Sequence, residues 1–401
     1  NYFIFMSIYL MMRVIQNTED NLWRMALLSG ALSGFSVITK GPVGFLLLGL
    51  TLLVYLILKR FKAFPSVKNI LFFFIGLIVI IGGWLCIELS QNGFAVIQQF
   101  IGYQSELFNQ PVAGHAQPFY YHFVVILIGC FPISIFALPY FRRKAERLDL
   151  DFRVWMLCLF WVVLILFSLS TTKIIHYSSM AYIPLSFLAA FFMYKLVLGE
   201  ESWKNYQTFL LGFIGFIWTI LLTGLPLVMI NKEALFPYIN DPFAVDSMGT
   251  EIYWSGSEFL IGIFFLIGLI FTILLMVRKQ IQKGLITSAL TVGITLLMVL
   301  FVILPKIEGF TQGPVVEFYG SIQEEDCYTE SYGYKSYAQY YYFNQPFGLS
   351  EKRKDRDWLL NGDIDKPVYF VSKSTNLELD THPNFKLIGK KGGFRFYKRD
   401  I

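Results

Sequence analysis

Charge is what this chain has least of. Of 401 residues, 15% are Asp, Glu, Lys or Arg and 55% are hydrophobic, with a mean hydropathy of +0.55. Soluble domains carry about a quarter charged residues, so the composition is that of a chain made for lipid. The net charge of +5 is too small to suggest a nucleic-acid partner. Cysteine is scarce too. Cys86, Cys130 and Cys158 lie in apolar runs and Cys327 stands alone in a polar segment, so neither a disulfide framework nor a zinc spacing can be made. No fixed-period repeat or low-complexity tract is present. The middles of the long apolar runs lack Asp, Glu, Lys and Arg, whereas ion-coupled transporters and proton pumps place ionisable groups there. The first residue is Asn, close to an apolar run too short for a full span, so the chain reads as a fragment whose N-terminal part is missing.

What is abundant is apolar length, with 41 Phe against 33 Lys plus Arg. A helix needs about 20 mostly apolar residues to cross a hydrocarbon core of about 30 Å. Ten segments approach that, at 2–14, 22–39, 42–58, 69–88, 119–141, 153–170, 175–198, 206–230, 257–277 and 285–304, the first of them truncated. Only structures that satisfy their own backbone survive in lipid. The expected fold class is therefore an α-helical polytopic membrane bundle, residues 1–304, followed by a small C-terminal α/β soluble domain, residues 305–401.

Lys and Arg in short loops set orientation. With strictly alternating loops, one set holds sixteen basic residues, among them Arg13, Lys59, Arg60, Arg142 and Arg278, and the other holds Lys40, Lys173 and Lys232. The first set is expected to be cytoplasmic, which puts the tail and the loops 89–118, 171–174 and 231–256 on the outer face. The tail balances fourteen basic against fourteen acidic residues. In it, 368–371 reads as a strand, and 385–389 and 393–397 as a hairpin about Lys390-Lys-Gly-Gly393. Residues 334–343 and 355–360 have helical length. The dense tyrosines between Tyr328 and Phe343 read as a structural aromatic face.

Three outer segments carry candidate chemistry. In Thr39-Lys40-Gly41-Pro42, Gly41 suits a left-handed helix stop and Pro42 the first position of the next helix. The resulting hairpin sets Lys40 beside a helix N-terminus, a place for a lipid phosphate or for a lysine that merely snorkels to the interface. In Ser170-Thr-Thr-Lys173-Ile-Ile-His176-Tyr177, a lysine, an imidazole and a phenol meet at a helix entrance. Together they can bind phosphate or sugar hydroxyls and move a proton, or act as interfacial anchors. The loop 98–122 carries Glu106, His115 and His122 without any Lys or Arg; two ligands alone do not define a metal site. Three of the four histidines and two of the three outer-loop lysines thus fall at one face.

These stretches, with Ser33-Gly34, His115-Ala-Gln-Pro118-Phe119-Tyr-Tyr, Gly129-Cys-Phe-Pro132 and Tyr182-Ile-Pro184, resemble the GT-C type lipid-linked sugar transferases. The likeness is to the 4-amino-4-deoxy-L-arabinose (lipid A) transferase and protein O-mannosyltransferase group in particular. The resemblance implies transfer of a sugar from a polyprenyl-phosphate donor to a lipid or protein acceptor on the outer side of the bacterial inner membrane, with the C-terminal domain periplasmic. It implies that Lys40, Gly41, Pro42, Lys173, His176, Tyr177 and His115 bind the donor, and that His115 is the candidate ligand of a divalent metal; no other cofactor is called for. The catalytic acid is expected upstream of Asn1. The arginine that the family's loop often carries before the histidine is missing from Gln104-Ser-Glu106-Leu-Phe-Asn-Gln110. The alternatives are a transporter of lipid-linked sugar, which would need a polar path across the bundle, and a non-catalytic membrane scaffold.

Overall fold

The protein is described by a computed structural model covering residues 1–17, 20–109, 117–142, 150–170, 172–343 and 355–401. It packs as two compact units, Asn1–Gly215 with Ile273–Leu285, and Phe216–Thr272 with Ile286–Ile401.

In the first unit the helices are α1 (Tyr2–Gln16), α2 (Leu22–Lys40), α3 (Val43–Leu58), α4 (Val67–Asn92), α5 (Phe94–Asn109), α6 (Tyr121–Gly129), α7 (Ile133–Arg142), α8 (Leu150–Leu169), α9 (Tyr182–Val197) and the first part of α10 (Asn205–Ile230). Small residues decide how closely they pack. A Cβ on Gly30 of α2 would fall 1.8 Å from the Phe73 carbonyl oxygen of α4, and one on Gly76 would fall 2.1 Å from that of Leu27. Hydrogen in place of a side chain lets the two backbones touch, the usual route to helix association in lipid. Polar contacts join α1 to α2. The buried hydroxyls of Ser7 and Ser29 each donate to the other residue's carbonyl oxygen at 2.8 Å. Helices α3 and α8 meet through Tyr55 stacked on Trp155, with ring centroids 4.3 Å apart.

All ten expected apolar segments are helical, but they are not ten equal spans. Among the described residues, seven helices are long and apolar enough to cross a membrane, and α1 and α3, of 15 and 16 residues, rise only about 22–24 Å. The expected span 119–141 is two helices, α6 and α7, bent by 117° at their junction. Pro132 lacks an N–H and cannot continue the ladder, and the Ser134 hydroxyl donates across the junction to the Leu127 carbonyl at 2.7 Å. Contacts of the bent pair still reach both ends of α8. At the start of α6, His122 rests on Phe167 near the C-terminus of α8, with ring centroids 6.3 Å apart. At the far end of α7, the Tyr140 carbonyl accepts from Arg153 near the N-terminus of α8, and the Tyr140 hydroxyl donates to Glu201, just past α9, at 3.2 Å. The outer loop expected at 89–118 begins with the end of α4 and holds α5.

The second unit continues α10 and adds α11 (Pro242–Met248), α12 (Leu260–Val277) up to Thr272, α13 (Ile281–Met298) from Ile286, α14 (Leu304–Thr311) and α15 (Gly313–Ser321). The last apolar helix does not stop at Pro305. A single π-turn, Val299–Ile303, joins α13 to α14, and Pro305 stands in the first turn of α14, where its missing N–H costs little. The strands β1 (Tyr328–Tyr332), β2 (Val368–Lys373), β3 (Lys386–Lys391) and β4 (Phe394–Arg399) form one sheet in the order β1-β2-β4-β3, parallel only between β1 and β2. Alternation along β2 and β4 sends Tyr369, Val371, Phe394 and Phe396 to one face against Val315 and Tyr319 of α15. Val368, Phe370 and Tyr397 go to the other face, against Leu359 and Leu379, the two-sided pattern of a sheet buried on both faces. Helices α16 (Ala338–Tyr342) and α17 (Arg356–Asn361) complete the unit. Asp355 caps the start of α17, accepting from the Asp357 and Trp358 N–H groups, and Arg399 caps its end, donating to the Leu359 carbonyl at 2.8 Å. The strand and hairpin expected in the tail are present; β1 was not anticipated, and the helix expected over 334–343 is reduced to α16.

One buried carboxylate organises the approach to α12. Glu258 accepts from the Ser255 and Gly256 N–H groups at 2.9 and 3.0 Å and pairs with Lys306 at 3.0 Å. Burial alone would raise its pKa, but these donors prevail and hold it down to about 2 against an ordinary 4.5. A depressed carboxyl pKa stabilises the fold above the unfolded value and ceases to do so as pH falls through the folded one.

Two predictions follow from this packing. Gly76→Leu should push α4 off α2 and cost at least about 1–3 kcal/mol, as overpacking does, seen as a fall in melting temperature in detergent; an unchanged melting temperature would show that the helices do not touch here. Glu258→Gln should lower stability by up to about 3 kcal/mol at neutral pH. The gap to the parent should stay constant above pH 5 and narrow as pH drops toward 3, and a gap independent of pH would rule the ion pair out as its source.

Candidate functional site

The α2–α3 connection is the tight hairpin that Lys40-Gly41-Pro42 predicts. Gly41 has φ 79° and returns its N–H to the Val37 carbonyl, a backbone angle that side-chain-bearing residues rarely adopt. Pro42 leads directly into α3. Behind the turn the chains touch, since a Cβ on Gly44 would fall 2.4 Å from the Ser36 hydroxyl. The turn holds Lys40 at the end of its helix, half-buried. Its Nζ donates to the Asn1 side-chain oxygen at 2.9 Å, and the Asn1 side-chain nitrogen donates to the Ser179 hydroxyl at 2.9 Å.

Ser179 lies on the single 3-10 segment Ile175–Ala181 that leads into α9, and that segment carries His176 and Tyr177. The two-bond chain therefore ties the Lys40 turn to the second sequence cluster, which is 133 residues away (173 less 40) at its nearest lysine. With three residues per turn, a 3-10 segment turns neighbouring side chains about 120° apart. His176 consequently faces out and Tyr177 in, its ring 5.5 Å from Phe167. Lys173, 7% exposed, donates from Nζ to the Ser170 carbonyl at 2.6 Å. An ammonium group has three donors, and burial makes each remaining one a strong attractor for anions.

The residue that sequence reasoning passed over is His122. It was grouped with a solvated loop, yet it opens α6 fully buried, in contact with the same Phe167 ring that Tyr177 touches and within electrostatic range of Lys173. Neither ring nitrogen has a hydrogen-bond partner. The available signal was its position at the first residues of an apolar run, where a polar side chain is turned into the bundle. His115 lies outside the described residues, and no group of three or more His, Cys, Asp or Glu able to hold a metal occurs among those described. Lys40, Lys173, His122, His176 and Tyr177 are thus two cations, two imidazoles and a phenol at one end of the first unit, with no carboxylate among them. Such a set attracts an anion and can hand it a proton, but it supplies no acidic base.

No family model matches the chain. Two uncharacterized proteins of Aquifex aeolicus (strain VF5) are similar to it. One is 31% identical over 163 residues, 39% of this chain and 35% of that one; the other is 27% identical over 248 residues, 59% and 45%. The chain thus spans less than half the length of these curated relatives. Among solved structures, the crystal structure of ArnT from Cupriavidus metallidurans in the apo state matches with a TM-score of 0.63 over 99% of this chain and 72% of that one. The same protein bound to undecaprenyl phosphate matches with a TM-score of 0.62 over 98% and 73%; both are 15% identical. The fold is ArnT-like. The GT-C likeness read from the sequence motifs and this fold agree, and they cover nearly the whole chain.

A buried imidazole with neither nitrogen bonded is a cost unless a ligand completes it, of about 1–3 kcal/mol per unmet polar group. His122→Leu should therefore leave the unliganded protein as stable as the parent or raise its melting temperature. A loss of stability would mean that the imidazole already has its partners.

Proposed function

We propose that this protein is a membrane glycosyltransferase that takes a sugar from a polyprenyl-phosphate donor and passes it to a lipid or protein acceptor at the outer face of a bacterial inner membrane. The observation that carries this reading is the convergence of the Lys40 turn and the Lys173–Tyr177 entrance, through Asn1 and Ser179, at one end of an ArnT-like bundle. That ArnT was crystallised with undecaprenyl phosphate supports the same donor class here.

In the reaction, the bond between the anomeric carbon and a phosphate oxygen breaks while an acceptor oxygen attacks that carbon. The phosphate leaves with one more negative charge, and cations already aimed at it lower the barrier. Lys173 fits this role best, since its ammonium is buried and its local bond goes to a neutral carbonyl. Lys40, less buried, would hold the phosphate at headgroup depth with Gly41 and Pro42 shaping the turn beneath it. His176 and Tyr177 would bind sugar hydroxyls. The acceptor's proton must go to a carboxylate base, and none of the assembled residues is one. The divalent metal that the family likeness implies would need ligands beyond His115 that the described residues do not assemble, so no step is routed through it. In this reading the sixteen basic residues of the alternate loops face the cytoplasm, and the sheet-bearing tail is periplasmic.

Lys40→Ala and Lys173→Ala should each reduce turnover of a polyprenyl-phosphate sugar at least tenfold in the full-length protein reconstituted in vesicles, with Lys173→Arg partly restoring it. Full turnover in both alanine variants, with the fold intact, would overturn the assignment.

A further inference from the structure

One turn of the first unit gathers charge that neither the packing nor the proposed reaction uses. The connection from α3 to α4 reads Lys59-Arg-Phe-Lys62-Ala-Phe-Pro-Ser-Val-Lys68, four cations in ten residues. It lies at the start of α4, a helix long and apolar enough to cross a membrane, so the turn falls at a membrane surface. The length of α3, 16 residues or about 24 Å, separates it from the Lys40 turn. Between Asp20 and Glu88 the chain has no acidic residue. Arg60, Lys62 and Lys68 are exposed, and among the described residues neither their side chains nor that of Asp20 has a hydrogen-bond or ion-pair partner. A fifth cation comes from α2. Arg24 lies over the Trp23 ring at 5.2 Å, and that ring rests on Phe72 near the start of α4, with centroids 5.0 Å apart.

Charge alone does not set this turn apart, because basic turns are the rule on a cytoplasmic face. The α12–α13 turn also carries three cations, Arg278, Lys279 and Lys283, with no aromatic residue among them. What the α3–α4 turn adds is apolar surface. Phe61 and Phe64 are 54% and 60% exposed. Helix α3 closes with the Phe61 N–H on the Leu56 carbonyl at 2.7 Å. Arg60 and Phe61 both stand at positive φ, 52° and 57°, where residues with side chains seldom go. Pro65, by contrast, is buried, so the turn is fixed to the bundle while both rings stay outside it.

Exposed rings gain by leaving water, and unpaired cations gain beside phosphate. A soluble polyanion would take the cations and leave the rings wet, whereas a phospholipid meets both needs at once. A zwitterionic headgroup brings its own cation next to its phosphate, so this surplus of positive charge favours a headgroup that is negative overall.

We propose that the α3–α4 turn is a binding site for an anionic phospholipid. Arg24, Arg60, Lys62 and Lys68 hold the headgroup phosphate, and Phe61 and Phe64 enter the lipid between the headgroup and the acyl chains. The site is separate from the donor site and holds whether or not the transferase reading does, because its test reads lipid binding alone.

The test uses the full-length protein in nanodiscs of mixed phosphatidylglycerol and phosphatidylcholine, with a trace of one or the other carrying a photoreactive acyl chain, and mapping of the cross-linked peptides. Labelling of residues 57–68, relative to that of α10, should be at least fivefold stronger with the phosphatidylglycerol probe. The combined variant Arg60→Gln, Lys62→Gln, Lys68→Gln should abolish that preference. Phe61→Ser with Phe64→Ser, which leaves every charge in place, should lower labelling by the phosphatidylglycerol probe at least threefold. All five positions are exposed, so the variants should keep the parent's melting temperature. Arg278→Gln with Lys279→Gln and Lys283→Gln should leave the preference unchanged. Equal labelling by the two probes, a preference that survives loss of the three cations, labelling indifferent to the two rings, or an equal loss on neutralising the α12–α13 turn would overturn the proposal, the last by showing that any positive turn would serve.

Discussion

A cation in a chain this apolar has little choice of place. Water is absent along the helix middles, so an ammonium must sit where a helix ends, beside carbonyl oxygens or a polar side chain that can take its hydrogens. Lys173 on the Ser170 carbonyl, Lys40 on the Asn1 amide and Lys306 on Glu258 are three answers to the same requirement. Lys40 and Lys173, from distant parts of the sequence, are in this way brought to the same end of the first unit. A level of cations therefore arises from solvation before any ligand is considered.

Much of the bundle was readable from the sequence. Apolar length marked all ten segments, and Gly41-Pro42 marked the hairpin, because these signals depend on one residue's own geometry or on transfer to lipid. What escaped depends on partners far away in the chain. Nothing in an unbroken apolar run from 119 to 141 announces a bend of 117°, since Pro132 is also compatible with a mild kink. The helix running through Pro305 was invisible for the converse reason, because a π-turn just before it lets the chain adjust. In the tail, β1 reads Tyr-Thr-Glu-Ser-Tyr, which is polar enough to pass for a loop until β2 pairs with it.

The site was legible in its cations and not in its imidazoles. Lys40 and Lys173 stood out because lysine is rare on that face. His122 did not, since a histidine next to two tyrosines at the edge of a run looks the same whether it points to water or to Phe167. Its burial is decided by α8, more than 30 residues away in the sequence. His176, which the sequence groups with Tyr177, stays edge-on to its ring, with centroids 5.0 Å apart, but is the more exposed of the two.

The elbow between α6 and α7 has one more consequence. A straight rod laid along α8 would leave no interior space, whereas two short rods meeting at a sharp corner enclose a wedge that nearby side chains are too few to fill. The empty volume is therefore a property of the backbone path rather than of any one lining residue. Substitutions along the walls can resize or fill that recess, whereas its outline follows from the corner itself.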